Sequence, residues 1–416
     1  MRTHVILLEW LSKDGKLLLS ARIVRAFSYG FLSIVLAIYL KSIGFNEILI
    51  GAVLSATLVN SVIFTMIASF YADRFGRRKI LTLYAVMMAV SGTIFLMTDN
   101  YLALIIAAFI GTVNVTGAET SAFLSIEQAT LPKTVKDIKK RNTAFGFYNM
   151  VGMFAMSAGV LLSSFPQLLQ NHFGFSQMES FKPLFAIYAI AGIVSAAIYY
   201  FLSKEIEVPI PTKPNSLIHG NLSPQSKKII WKLSALFSVD SFAGGFVIQS
   251  IVSFWFFTKF GVLLTDLAFI FSIAGVLTAF SYVLATRLAD KIGLINTMVF
   301  THIPANILTV LVAFAPTFPL ALGFYLGRMA LSQMDVPTRQ SYIASVVNEE
   351  ERIAAAGITN TSRNVTQAIS PSIAGVIIQS LWLSAPFVVG GLLKIVYDVG
   401  LYINFRKIKP MQEQEK

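Results

Sequence analysis

The chain has 416 residues, of which 55% are hydrophobic and 13% charged, and its mean hydropathy is +0.69. Soluble domains carry about a quarter charged residues, so an ordinary cytosolic enzyme and a disordered protein are both excluded, and a polytopic membrane protein is implied. The net charge of +12 would suggest nucleic acid in a soluble chain, so the placement of the charges has to decide.

In chain order, residues 1–16 hold Arg2, Glu9, Lys13, Asp14 and Lys16 and do not read as a cleavable signal peptide. A membrane crossing needs roughly 20 mostly apolar residues. Six predicted spans follow at about 17–40, 46–70, 80–98, 101–126, 143–165 and 183–203. A polar, proline-rich stretch over 204–230 reads as a linker. Six more spans lie at about 231–258, 264–286, 294–315, 319–345, 353–380 and 382–405. The predicted organisation is a bundle over 1–203, the linker over 204–230 and a second bundle over 231–416.

The basic residues alternate from side to side. Arg74, Arg77, Arg78 and Lys79 follow span 2, and Lys133, Lys136, Lys139, Lys140 and Arg141 follow span 4. The linker, the loop with Arg287 and Lys291, and both ends are also basic, whereas the other loops hold only Lys41, Lys182 and Lys259. The positive-inside rule therefore puts both termini and the linker in the cytoplasm, with the chain in the cell membrane. Nucleic-acid binding loses its support.

The chain also repeats itself. Ala72-Asp73-Arg74-Phe75-Gly76 matches Ala289-Asp290-Lys291-Ile292-Gly293, and the R-x-x-A-x-G-x-x-N pattern from Arg141 recurs from Arg352. Phe27-Ser-Tyr-Gly30-Phe31 matches Phe242-Ala-Gly-Gly245-Phe246. The three pairs fall at matching places in the two halves, which predicts a six-plus-six duplication. Such duplicated bundles serve alternating-access transporters, with the solute held near the midplane.

Tyr71-Ala72-Asp73-Arg74-Phe75-Gly76-Arg77-Arg78-Lys79 resembles the loop signature of the major facilitator superfamily, and Asp290 to Gly293 is similar to its degenerate second copy. The resemblance implies an all-α membrane protein of twelve helices in two pseudo-symmetric bundles. It implies that spans 1, 4, 7 and 10 line a central cavity. It further implies a cytoplasmic gate in which Asp73 meets the start of span 11 near Arg352–Ala356, Arg77 latches onto Glu127 at the end of span 4, and Asp290 faces the start of span 5. Gly76 permits a turn with positive φ.

Several ionisable residues lie well within the predicted spans, among them Arg22, Arg25, Glu119, Asp240, Arg328, Asp335, Arg363, Lys394 and Asp398. An ionised group at helix centre costs about 2.5–3.5 kcal/mol, so each is expected to face a partner or a watery cavity. Arg22 is close enough to the span end to snorkel, and Lys394 and Asp398 are spaced to pair within one helix. The remaining six, Arg25, Glu119, Asp240, Arg328, Asp335 and Arg363, form the expected solute and proton pathway. Asp240 and Glu119 are the candidate proton carriers; the arginines suit an anion or a carboxylate. Arg25 and Asp240 occupy equivalent places in spans 1 and 7, which suggests a pair across the midplane. Arg328 and Asp335, seven apart, would share a face of span 10, kinked by Pro337.

With four histidines, no cysteine, and neither a phosphate-binding loop nor a nucleophile motif, no metal, cofactor or enzyme activity is expected. The sequence reading is a monomeric secondary transporter in the lipid bilayer that exports a small-molecule substrate against protons. An organic-anion or nutrient importer is the alternative within the class, and a non-transporting sensor or scaffold the alternative outside it.

Overall fold

A computed structural model describes residues 10–117, 121–136, 141–207, 223–348 and 351–407. The chain divides into two compact units. The first comprises Met1–Phe45, Ala52–Asn215 and Leu263–Ala268, and the second Asn46–Gly51, Ser216–Val262 and Phe269–Lys416. Among the described residues no strand forms, and Leu11 and Val135 make an isolated antiparallel bridge.

The helices of the first half are α1 (Lys13–Ser42), α2 (Glu47–Phe75), α3 (Arg77–Met97), α4 (Tyr101–Ile110), α5 (Ala122–Thr130), α6 (Arg141–Leu162), α7 (Phe165–Phe173) and α8 (Gln177–Tyr200). Those of the second half are α9 (Pro224–Gly245), α10 (Gln249–Phe260), α11 (Leu264–Ile292), α12 (Leu294–Phe314), α13 (Phe318–Leu331), α14 (Asp335–Ser345), α15 (Arg352–Ser380) and α16 (Ala385–Phe405). Their starts follow local chemistry. The Ser12 hydroxyl accepts from the Gly15 N–H to cap α1, Asn100 caps α4, and Ser176 with Glu179 forms a capping box at α8. Gly76 and Gly293, equivalent in the repeat, have φ of +99° and +87°, so each ends a long helix and starts the next within one residue.

Nine helices among the described residues are long and apolar enough to cross a membrane, and they correspond to predicted spans 1, 2, 3, 5, 6, 7, 8, 9 and 12. The fold is an all-α polytopic membrane protein. Predicted spans 4 and 10 are broken into short helices. Predicted span 11, now α15, is continuous but falls outside the nine, as its run Thr359-Asn-Thr-Ser-Arg363 is polar. Span 7 also breaks, after Gly244-Gly245, so these glycines end α9 rather than bend it. The helix of span 7 starts at Pro224, whose missing N–H is no loss in a first turn.

Packing repeats between the units. In the first, α1 lies against α6 and α8, and α3 against α8; in the second, α9 lies against α15 and α16, and α12 against α16. Apolar clusters hold each unit together, around Leu81, Tyr84 and Phe123 in one and Phe237, Met298 and Leu401 in the other. Phe154, Phe280 and Ile403 are at least 67% exposed, as helices solvated by lipid require. Small residues let backbones touch: a Cβ on Gly159 of α6 would lie 1.8 Å from the Phe27 carbonyl oxygen of α1, and one on Gly30 2.1 Å from the Met156 carbonyl oxygen. Gly159→Leu is therefore expected to abolish the folded, monodisperse protein on size exclusion. Gly275→Ala, where a Cβ meets nothing within 4 Å, is expected to leave it unchanged.

Candidate solute site and buried charge networks

The predicted fourth span fails as a helix for local reasons. Thr112, Val113, Val115 and Thr116 are β-branched and poor helix formers. The Asn114 side-chain oxygen accepts from the N–H groups of Thr116 (2.9 Å) and Gly117 (3.2 Å), a local turn that competes with helical bonding. Gly117 itself has φ +80°. The last carbonyls of α4 find other donors, since the Ser91 hydroxyl donates to Ala107 O (2.7 Å) and the Asn60 amide to Phe109 O.

This interruption forms one wall of a small recess within the first unit, about 20 Å³ in volume. Tyr29 of α1, Thr57, Asn60 and Ser61 of α2, and Thr112 and Asn114 of the interruption supply its polar lining. The Tyr29 hydroxyl donates to Thr112 Oγ1 at 2.8 Å. Hydroxyls and the two amides of Asn60 and Asn114 dominate this wall, and no Asp, Glu, Lys, Arg or His belongs to the described lining. It can hydrogen-bond a small polar solute without an ionised partner.

Close by in the same unit, Arg25 makes a bidentate pair with Glu127 (2.9 and 2.7 Å), and both side chains are fully buried. Tyr199 donates to Glu127 at 2.7 Å, Tyr148 also donates to it, and the Arg25 guanidinium lies 4.2 Å over the Phe123 ring. Arg22 does not snorkel: it is 6% exposed and stacks on Tyr148 at 4.4 Å. Two expectations are corrected. Glu127 is the partner of Arg25, not of Arg77, and Arg25 is satisfied inside its own unit rather than by Asp240. The pairing links residues 102 apart in sequence, beyond the reach of helical periodicity.

Arg77 does reach the end of span 4, but through Ala129 O (3.2 Å) and Thr130 Oγ1 (3.3 Å). Its Nε donates to Asp73 at 2.7 Å. Glu207, which sequence reasoning passed over, accepts from the N–H groups of Arg77 (2.6 Å) and Arg78 (3.2 Å) at the start of α3. Arg74 is exposed. The side chains at 141–143 and 352–354, the expected partners of Asp290 and Asp73, lie outside the described residues, as does Glu119.

In the second unit Asp240 of α9 collects cations from three helices. Lys394 Nζ lies 2.6 Å from one oxygen, and Arg363 (3.1 Å) and Arg339 (3.6 Å) face the other. Arg339 also pairs with Asp335. Lys394 and Asp398 are thus not each other's partners, contrary to the local pairing expected within α16. Asp398 instead bonds His302 Nδ1 and the Asn306 amide of α12, each at 2.8 Å. His302 is the one histidine inside a predicted span, a signal the sequence offered. Span 10 stops at Leu331 and restarts at Asp335, so the helical phase between Arg328 and Asp335 is lost. Pro337 sits in the first turn of α14, where it breaks no hydrogen bond and makes no kink. Arg328 Nε is buried with no hydrogen-bond partner among the described residues, and its Nη1 faces Met329 Sδ at 3.5 Å.

These features define a helical transport protein made of two repeated units, each with a buried charge network. The chain belongs to the Major Facilitator Superfamily, whose model matches residues 18–334. It is 25% identical to an uncharacterized membrane protein of Saccharomyces cerevisiae, over 95% of this chain and 94% of that one. Among solved structures it is similar to a D-xylose–proton symporter (TM-score 0.74, 16% identity, 95% and 97% of the two chains). It is also similar to a nucleoside transporter (TM-score 0.71, 14% identity, 95% and 99%).

Outside the spans, Glu351 at the start of α15 accepts from the Ser223 N–H, the Ser226 hydroxyl (2.6 Å) and the Asn348 N–H (3.3 Å). Those bonds, the Ser223 N–H first, hold its carboxyl down to about 2. A depressed folded-state value means the contribution is complete above the unfolded value near 4.5 and is lost as pH falls toward about 2. Glu351→Gln is expected to lower the melting temperature at pH 7, with the gap to the unsubstituted protein closing as pH drops through that window.

Proposed function

We propose that the chain is a proton-coupled secondary transporter of a small polar organic solute, working by alternating access as a monomer in the cell membrane with both termini cytoplasmic. The observation that carries the reading is the interruption of span 4 beside the hydroxyl- and amide-lined recess. Discontinuous helices at membrane depth expose backbone and side-chain polar groups where a transporter needs a solute site. A scaffold would gain nothing from breaking an apolar helix there. Proton coupling is supported by the ionisable residues kept inside the spans; Arg25, Asp240, Arg328, Asp335 and Arg363 are read as the solute and proton pathway, the arginines as partners for an anion or carboxylate, and Glu119 belongs to the same proposal. Asp73, Arg74, Gly76, Arg77, Asp290 and Gly293 are read as the cytoplasmic gate, with Glu127 acting through Arg25 rather than through Arg77.

Direction divides two readings. The sequence suggested export against protons, whereas similarity to a protein named as a D-xylose–proton symporter favours uptake with protons. Proteoliposomes loaded with a pH-sensitive dye and offered a panel of cationic, anionic and neutral solutes separate them. Internal acidification on adding external solute supports symport, alkalinisation supports exchange, and no proton movement with any solute contradicts the proposal. For a solute so identified, Asn60→Leu is expected to raise KM at least tenfold, a loss of about 1.4 kcal/mol. Asp73→Asn is expected to slow turnover several-fold at unchanged KM, and unaltered turnover would remove Asp73 from the gate.

A further inference from the structure

Asp240 was one of the two proton carriers expected from sequence, with Glu119, yet both of its carboxylate oxygens are taken by cations, Lys394 on one and Arg363 on the other. A proton arriving there would have to displace one of them. One turn further along α16 lies a different arrangement. His302 and Asp398 are 2% and 0% exposed, joined at 2.8 Å through Nδ1 and Oδ1. The Asn306 amide donates to the other Asp398 oxygen at 2.8 Å. The ring of Tyr397 meets that of His302 edge-on, with centroids 6.0 Å apart. A carboxylate at Nδ1 selects the tautomer that carries its proton on Nδ1, which leaves the lone pair of Nε2 as a base.

We propose that the His302–Asp398 pair, oriented by Asn306, is the proton-binding site of this transporter, and that Lys394 links it to Asp240. The inference rests on the proton-coupled reading above and names where the proton binds. The step is simple: a proton adds to the Nε2 lone pair, the imidazole becomes an imidazolium, and Asp398 balances the new charge. No other bond changes. Lys394 and Asp398 are four residues apart on α16, so they share a face. With His302 neutral, Asp398 is an anion that competes with Asp240 for Lys394. With His302 charged, that competition ends and Lys394 stays on Asp240. Protonation is thereby transmitted to the cluster that also holds Arg363 and Arg339.

The other charged and titratable groups around the pair are accounted for. Arg339 and Asp335 of α14 pair with each other and face Asp240. Tyr397 and Lys394 are on α16, and Asp240 comes from α9. Tyr325 and Arg328 come from α13, a helix that also packs on α12, and Arg328 Nη1 faces Met329 Sδ. His is the side chain whose ordinary titration range falls between about pH 5 and 8, which suits it to working gradients better than a carboxylate already held by cations.

The test uses the full chain, labelled with ¹⁵N-histidine, in lipid nanodiscs. The sequence has four histidines, so the His302 signals are assigned by their loss in His302→Gln. They are expected to pass from the neutral to the charged imidazole pattern over the pH range in which the protein moves protons, and to do so differently in Asp398→Asn. In proteoliposomes His302→Gln is expected to reduce solute-driven proton flux at least tenfold while solute exchange persists. A His302 locked in one protonation state across that range overturns the assignment, as does wild-type proton flux in His302→Gln. A His302 that titrates in a protein moving no protons for any solute overturns the coupled reading instead.

Discussion

An ionised side chain inside hydrocarbon is costly unless it meets a partner there, and the opposite charges that do meet organise both units. The Arg25–Glu127 pair, both side chains fully buried, joins α1 to α5, and Tyr148 and Tyr199 bring in α6 and α8. Asp240 joins α9 to α14, α15 and α16 through Arg339, Arg363 and Lys394. Each network closes on helices of its own unit. Removing one member of such a pair leaves an uncompensated buried charge, which typically costs about 3–5 kcal/mol, whereas removing both is far milder. The networks therefore fix the relation of helices that apolar packing alone would leave free to slide.

The second organising feature is that polarity has been traded against helix continuity. Among the described residues nine helices are long and apolar enough to cross a membrane, and spans 4 and 10 are interrupted. At span 4 the freed carbonyls are taken up by Ser91 and Asn60, which is how a break survives away from water. Asn60, Thr112 and Asn114 also line the recess, so the break in span 4 and the polarity of the recess have one cause. At span 10 the restart at Asp335 lets that carboxylate take Arg339 one turn on and turns Pro337 from a helix breaker into a first-turn residue.

Much of this was legible in the sequence, and what was missed has a physical reason. Asp73 and Gly76, with their copies at Asp290 and Gly293, marked the helix-to-helix turns correctly because a positive φ is a local demand that glycine announces. Twelve spans were read from length and hydropathy, and nine of them match helices long and apolar enough to cross a membrane among the described residues. The fourth, interrupted over Thr112 to Gly117, carried its warning in β-branched residues, Asn114 and Gly117, but the high overall hydropathy hid it. Glu127 was assigned to Arg77 because the family resemblance sets Arg77 on the cytoplasmic end of span 4, and only tertiary packing reveals that Arg25, 102 residues away in sequence, takes it. Lys394 and Asp398 show the converse error: correct helical spacing suggested a local pair, and stronger partners on neighbouring helices won both.

The central claim is that these intramembrane charges are held by one another within each unit. Its most direct test is a double-mutant cycle on Arg25 and Glu127 in the purified full chain, read by thermal or denaturant unfolding. Arg25→Met or Glu127→Leu alone is expected to destabilise by about 3–5 kcal/mol, and the double substitution to restore most of that loss. Additive losses, with no recovery in the double variant, would contradict the account.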